Sequence, residues 1–287
     1  MLCARTPAFS IILVLTQAFS ARPVLPLDRN DLAGKGAGAP TALDAAHRKT
    51  AILELVDRHK ESLVVVQLVL TSTMAFGGQQ MPPEERRVKL DGVVLNASGL
   101  TVFSRSPLSS TKMRFGGASS DRSSEIRRDS QTKEVKIITN DGTELPAQIV
   151  LEDGDLDLAF ARPKRKDLKL PAIELDSAAK PGLLDEVVSL SRLDTSCGRA
   201  PMVRVSTIAA VCTKPRTWYL LDRAAPTGSP VFDDRGRCIG VTLTFTGHGE
   251  SEEQVSRRRI WSDDQGGRRA VLPAEAIVRT MKQVSAP

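Results

Sequence analysis

The spacing of apolar residues changes twice along the chain. From 44 to 61, Ile52, Leu55, Val56 and His59 return at helical intervals, while Arg48, Lys49, Glu54 and Lys60 fall on the opposite side. This predicts an amphipathic helix, which Thr41 or Asp44 is placed to cap. His59 lies on or beside the apolar stripe, where a ring normally serves as packing. After Ser62 the period drops to two and the residues become β-branched. Strands are expected at 62–70, 88–95, 100–103, 135–139 and 144–150, with turns at 96–99 and at Asn140-Asp141-Gly142. A second run of strands is expected at 186–191, 203–211, 218–222, 230–232, 238–243 and 269–272. A closing helix at 274–284 then carries Ile277, Val278 and Met281 on one face.

These patterns divide the chain. Residues 62–165 form one set of strands and 170–287 a second set with the closing helix. Between strands, residues 109–134 are rich in Ser, Arg and Gly and poor in apolar side chains, and so predict a long inserted mobile loop. Residues 21–43 show no period and are rich in Pro, Gly and Ala, the composition of a flexible leader. Ahead of them, Arg5 precedes an uncharged run at 8–15 that ends in Ala18-Phe19-Ser20-Ala21. A basic start, a short apolar run and a small-x-small site predict a signal peptide over 1–20, cleaved after Ser20. The run is shorter than the ~20 residues a membrane span needs. The expectation is an exported protein, periplasmic or secreted, with no membrane attachment beyond that segment.

Composition narrows the remaining options. Of 287 residues, 41% are hydrophobic and only 4% aromatic, so the cores must rest on aliphatic side chains. The formal charge of +6 implies a mildly basic surface, but the basic runs are short and no aromatic residues interleave with them. Nucleic acid is therefore not the expected partner. Export leaves Cys197, Cys212 and Cys238 in the mature chain, an odd number that permits buried thiols or one disulfide. With no Cys-x-x-Cys pair and no histidine near the cysteines, no metal site is expected, and no cofactor.

The chemistry of the chain centres on Ala225-Pro226-Thr227-Gly228-Ser229-Pro230-Val231-Phe232, which leads through the turn 233–236 into Cys238-Ile239-Gly240-Val241. This order of residues resembles the nucleophile loop of trypsin-like serine proteases, and in particular of their HtrA/Deg branch. Three further landmarks follow the same resemblance. Gly92 and the run Gly99-Leu100-Thr101-Val102 match the strands ahead of the family's catalytic histidine. That histidine falls on Ser106. Asp157, in Asp153-Gly154-Asp155-Leu156-Asp157-Leu158-Ala159, matches the aspartate that orients it. The resemblance covers about 62–284 and implies an all-β fold, a trypsin-like double six-stranded β-barrel with an N-terminal and a C-terminal helix. No PDZ-like stretch is expected after the closing helix.

The resemblance also places the triad-equivalent positions at Ser106, Asp157 and Thr227, and the oxyanion-hole amides at Ala225 and Thr227. A serine hydroxyl is no proton acceptor near pH 7, whereas an imidazole with a pKa of ~6.5 is. Threonine nucleophiles rely on a free N-terminal amine, and Pro226 holds Ala225 toward extended backbone. The expected function is that of a degenerate, catalytically inactive homologue binding a protein or peptide, with Asp157 capping amides or bonding Ser106. The alternative is a divergent active serine endopeptidase, rescued by His248 or by a Ser/Lys pair using Lys112.

Overall fold

The computed structural model describes residues 42–76, 79–109, 111–115, 124–245 and 268–284. The signal segment and nearly all of the leader lie outside these residues, as does His248. Helix α1 (Ala42–His59) ends in Arg58 and His59, and the Arg58 cation suits the negative end of its dipole. Leu55 and Val56 are buried. The Leu55 side chain reaches the turn at Gly236, and the His59 ring stacks on Phe232 with centroids 4.9 Å apart. His59 is thus a packing ring. Burial, and secondarily the charge of Arg58, lowers its pKa.

The first barrel closes through β1 (Leu63–Phe76), β3 (Glu84–Val94), β4 (Thr101–Ser104), β8 (Leu158–Pro163), β7 (Glu144–Asp153) and β6 (Ser124–Ile138), which returns to β1. Two short strands lie outside the ring: β2 (Gln79–Gln80) on β1 and β5 (Thr111–Phe115) on β6. Every pair is antiparallel. Alternation sends Val64, Val66, Leu68 and Leu70 inward, where they meet Phe103, Ile137 and Ala159.

The second barrel closes through β9 (Glu186–Arg192), β10 (Pro201–Cys212), β11 (Trp218–Leu221), β14 (Arg268–Pro273), β13 (Cys238–Phe245) and β12 (Pro230–Phe232). Helix α2 (Ala274–Met281) closes it and buries Ile277. Between the barrels runs a continuous apolar cluster that includes Leu63, Phe160, Ile173, Leu190, Phe232, Leu243 and Ile277. The fold is thus two six-stranded barrels sharing one buried seam.

One expectation is corrected here. Residues 109–134 do not form a single inserted loop, because β5 and the greater part of β6, residues 124–134, fall inside that range. The polar stretch is held by pairing: β6 runs beside β1 from Ile138 back to Ile126, with one register shift at Val69/Leu70. Backbone hydrogen bonds need no apolar side chains, and Lys133 of β6 reaches Glu85 of β3 at 2.7 Å. For the same reason β1 and β3 extend beyond the runs 62–70 and 88–95. All three cysteines of the described residues are free thiols: Cys197 exposed, Cys212 half-buried and Cys238 buried. Burial pushes the Cys238 thiol up to about 12, the behaviour of an inert packing group. Among the described residues, no helix is long and apolar enough to cross a membrane.

Candidate active site

The site is built on three pieces of chain. β4 ends at Ser104, and a short 3-10 turn (Ser106–Leu108) with Pro107 in its first turn leaves Ser106 exposed. Between β7 and β8, Asp153 accepts from the amides of Asp155 and Leu156 and so tightens the turn. That turn delivers Asp157 in a left-handed conformation, φ 53°, with its carbonyl accepting from the Arg105 amide at 3.0 Å. A non-glycine residue held there is strained, and neighbouring bonds must hold it in place.

Those bonds surround its carboxylate. Oδ1 of Asp157 accepts from the Ser106 hydroxyl at 2.9 Å. Oδ2 accepts from the Ser104 hydroxyl at 2.6 Å and from the backbone amide of Thr244 at 2.8 Å. Ser104 in turn accepts from the Ser106 amide at 3.3 Å. The carboxylate is buried, and these three donors replace the water it loses.

Thr227 sits on the connection between β11 and β12, and the same strand that reaches Asp157 holds this loop. Gly228 donates to the carbonyl of Thr242 at 2.7 Å, and the Thr242 amide donates to Ser229 at 2.8 Å. Thr242 and Thr244 are two residues apart on β13, a spacing of ~7 Å along a strand. The acid and the Thr227 loop therefore hang from one rigid edge. Gly228, at φ 91°, also lies directly on β3: a Cβ there would come within 2.2 Å of the Asp91 carbonyl oxygen. Thr227 is half-buried, and among the described residues no hydrogen bond joins its hydroxyl to Asp157 or Ser106. Ala225 is wholly buried.

The structure thus brings Ser106 and Asp157 into direct contact and anchors the loop of Ala225 and Thr227 to the strand they share. Ser104 and Thr244 escaped the sequence reading. Ser104 stands at the end of β4, just before the turn that carries Ser106, and Thr244 acts through its backbone amide, which no side-chain pattern announces. Chemically, the carboxylate of Asp157 orients the Ser106 hydroxyl. Among the described residues no group of three or more His, Cys, Asp or Glu side chains converges to hold a metal.

A second charged group lies behind the loop. Asp91 lines a cleft of about 190 Å³ between the barrels with Val65, Ile138, Arg192, Asp194 and Arg199. Burial raises its carboxyl to about 6, against the opposing pull of Arg192. Arg192 is buried on β9, where its guanidinium donates to Asn140, to the Lys60 carbonyl and, at 2.9 Å, to the Arg199 carbonyl.

Comparison with known proteins places this geometry. The family profile of the trypsin-like peptidase domain matches residues 91–241, which run from Asp91 through Asp157 and Thr227 into β13. The chain belongs to the trypsin-like peptidase family. No curated protein matches it. Among solved structures, this trypsin-like domain is similar to the HtrA-type protease AlgW, a serine-to-alanine variant solved with a tripeptide. Identity is 16% and the TM-score 0.53, over 81% of this chain and 62% of that one. The chain spans less than two thirds of that protein's solved length, and at this identity the likeness is one of fold.

Proposed function

We propose that this member of the trypsin-like family is an exported, catalytically inactive homologue that binds a protein or peptide. The observation that carries this reading is the carboxylate of Asp157, fully engaged by two hydroxyls and an amide, with Ser106 in the place of a proton-accepting ring. Without a base, acyl transfer loses a factor on the order of 10⁴, and each missing oxyanion donor a further ~10²–10³. A β-branched nucleophile adds steric crowding at the attacking oxygen. What remains is the fold itself, and the similar AlgW variant carries a tripeptide, a ligand class proposed here for this chain. The apolar run and small-x-small site of the first 20 residues support export.

The test uses the purified protein and unfolded casein. Expected is retention of casein by anisotropy or pull-down, no peptide release over hours, and no labelling by a fluorophosphonate. Cleavage or labelling that Thr227→Ala abolishes would establish the divergent endopeptidase instead. Failure to retain casein or any member of a random peptide library would overturn the binding role.

A further inference from the structure

Away from the triad positions, the segment that leaves β8 forms a second cavity. Its volume is about 490 Å³, and it is lined by Ser98, Gln148, Arg162, Lys164, Arg165 and Lys166. Four cations and two neutral hydrogen-bonding side chains converge there, and no carboxylate lines it. The backbone fixes this convergence. Gln148 stands directly opposite Arg162 across β7 and β8, so the two side chains share one face. Pro163 is buried against the β3–β4 turn: a Cβ on Gly99 would lie 2.8 Å from its ring. The Lys164 amide donates to Pro146 at 2.8 Å and the Leu170 amide to Ala97 at 3.0 Å, pinning the basic segment at both ends.

Charge balance within the cavity is uneven. Asp167 lies beside it and takes Arg165 in a two-point contact of 2.8 and 3.0 Å. Among the described residues, Lys164 and Lys166 have no carboxylate partner. Like charges held this close repel, and a multiply charged anion relieves that repulsion. The Gln148 amide adds an uncharged donor at the rim, whereas the Ser98 hydroxyl already donates to Asn96 at 2.8 Å. No aromatic ring lines the cavity, so it offers phosphate contacts without a surface on which a base could stack.

We propose that this cavity is an anion site for closely spaced phosphate groups, carried by a soluble oligophosphate or by a phosphorylated lipid headgroup. Calorimetric titration of the full chain with inorganic tripolyphosphate at about 50 mM salt tests it. Expected is one-to-one binding that weakens as salt rises. Lys164→Ala/Lys166→Ala should lose about tenfold or more in affinity, and Arg162→Gln a smaller factor. Lys180→Ala/Lys282→Ala removes the same charge elsewhere and should bind nearly as wild type. Vesicles bearing a phosphoinositide identify the source: sedimentation lost in the Lys164/Lys166 variant names a headgroup, and tripolyphosphate binding alone names a soluble anion. No binding of tripolyphosphate, equal losses in both double variants, or binding of single-stranded RNA without tripolyphosphate would overturn the proposal.

Discussion

Asp91 shows how far one buried carboxyl can tilt the stability of this protein. Its pKa rises from 3.8 in the unfolded chain to about 6 in the fold. The folded state therefore holds the proton more tightly, and the group opposes folding once it is ionised in both states. That cost is complete above pH ~6 and vanishes below pH ~4; at about 1.4 kcal/mol per pH unit it amounts to roughly 3 kcal/mol. Asp91→Asn should accordingly stabilise the protein at pH 7.5 by up to ~3 kcal/mol in urea unfolding and have little effect at pH 4. A variant less stable than wild type at pH 7.5 would contradict this balance. Gly228 bears the opposite constraint. With φ at 91° and the Asp91 carbonyl 2.2 Å from any Cβ, Gly228→Ala must move the Thr227 loop off β3. Overpacking and left-handed strain together predict a loss of about 3 kcal/mol, visible as a lowered urea midpoint.

Among the elements, β6 separates what the sequence expresses from what it leaves silent. Its last four residues, 135–138, are mostly apolar and lead into an Asn-Asp-Gly turn, so they were legible. Its longer first part, 124–134, is almost entirely polar in sequence, and backbone ladders to β1 and β5 make it a strand. Composition reports side-chain burial, whereas this part is held by backbone pairing, to β1 across fifty or more residues of sequence. Hydrogen–deuterium exchange should find alternate amides between 129 and 134, those facing β1, protected well beyond loop rates, and complete exchange of all of them within seconds would exclude the ladder. The candidate site divides in the same way. Asp157 and Thr227 stood out because local motifs frame them. Ser104 and Thr244 reach the carboxylate only after β4 and β13 are brought side by side, and neither carries a distinctive neighbour.

At the scale of the whole molecule, the two barrels meet through an apolar seam and one buried cation. Arg192 extends from β9 of the second barrel to Asn140 of the first and to the Lys60 carbonyl just after α1. Arg192→Met keeps much of the volume but leaves those acceptors and Asp91 without their donor or counter-charge. The expected cost is ~2–4 kcal/mol at pH 7.5, shrinking by pH 5 as Asp91 takes up a proton. An unchanged midpoint at both pH values would show that the seam alone joins the barrels. The hold of β13 on both the carboxylate and the threonine loop has a longer-range consequence. With their separation set by the pitch of a single extended segment, a change of side chain at Ser106 or Thr227 leaves the jig intact. Descent from such a chain toward hydrolysis, or away from it, would then be a matter of exchanging side groups on a fixed frame, with no need to redraw the path of the main chain.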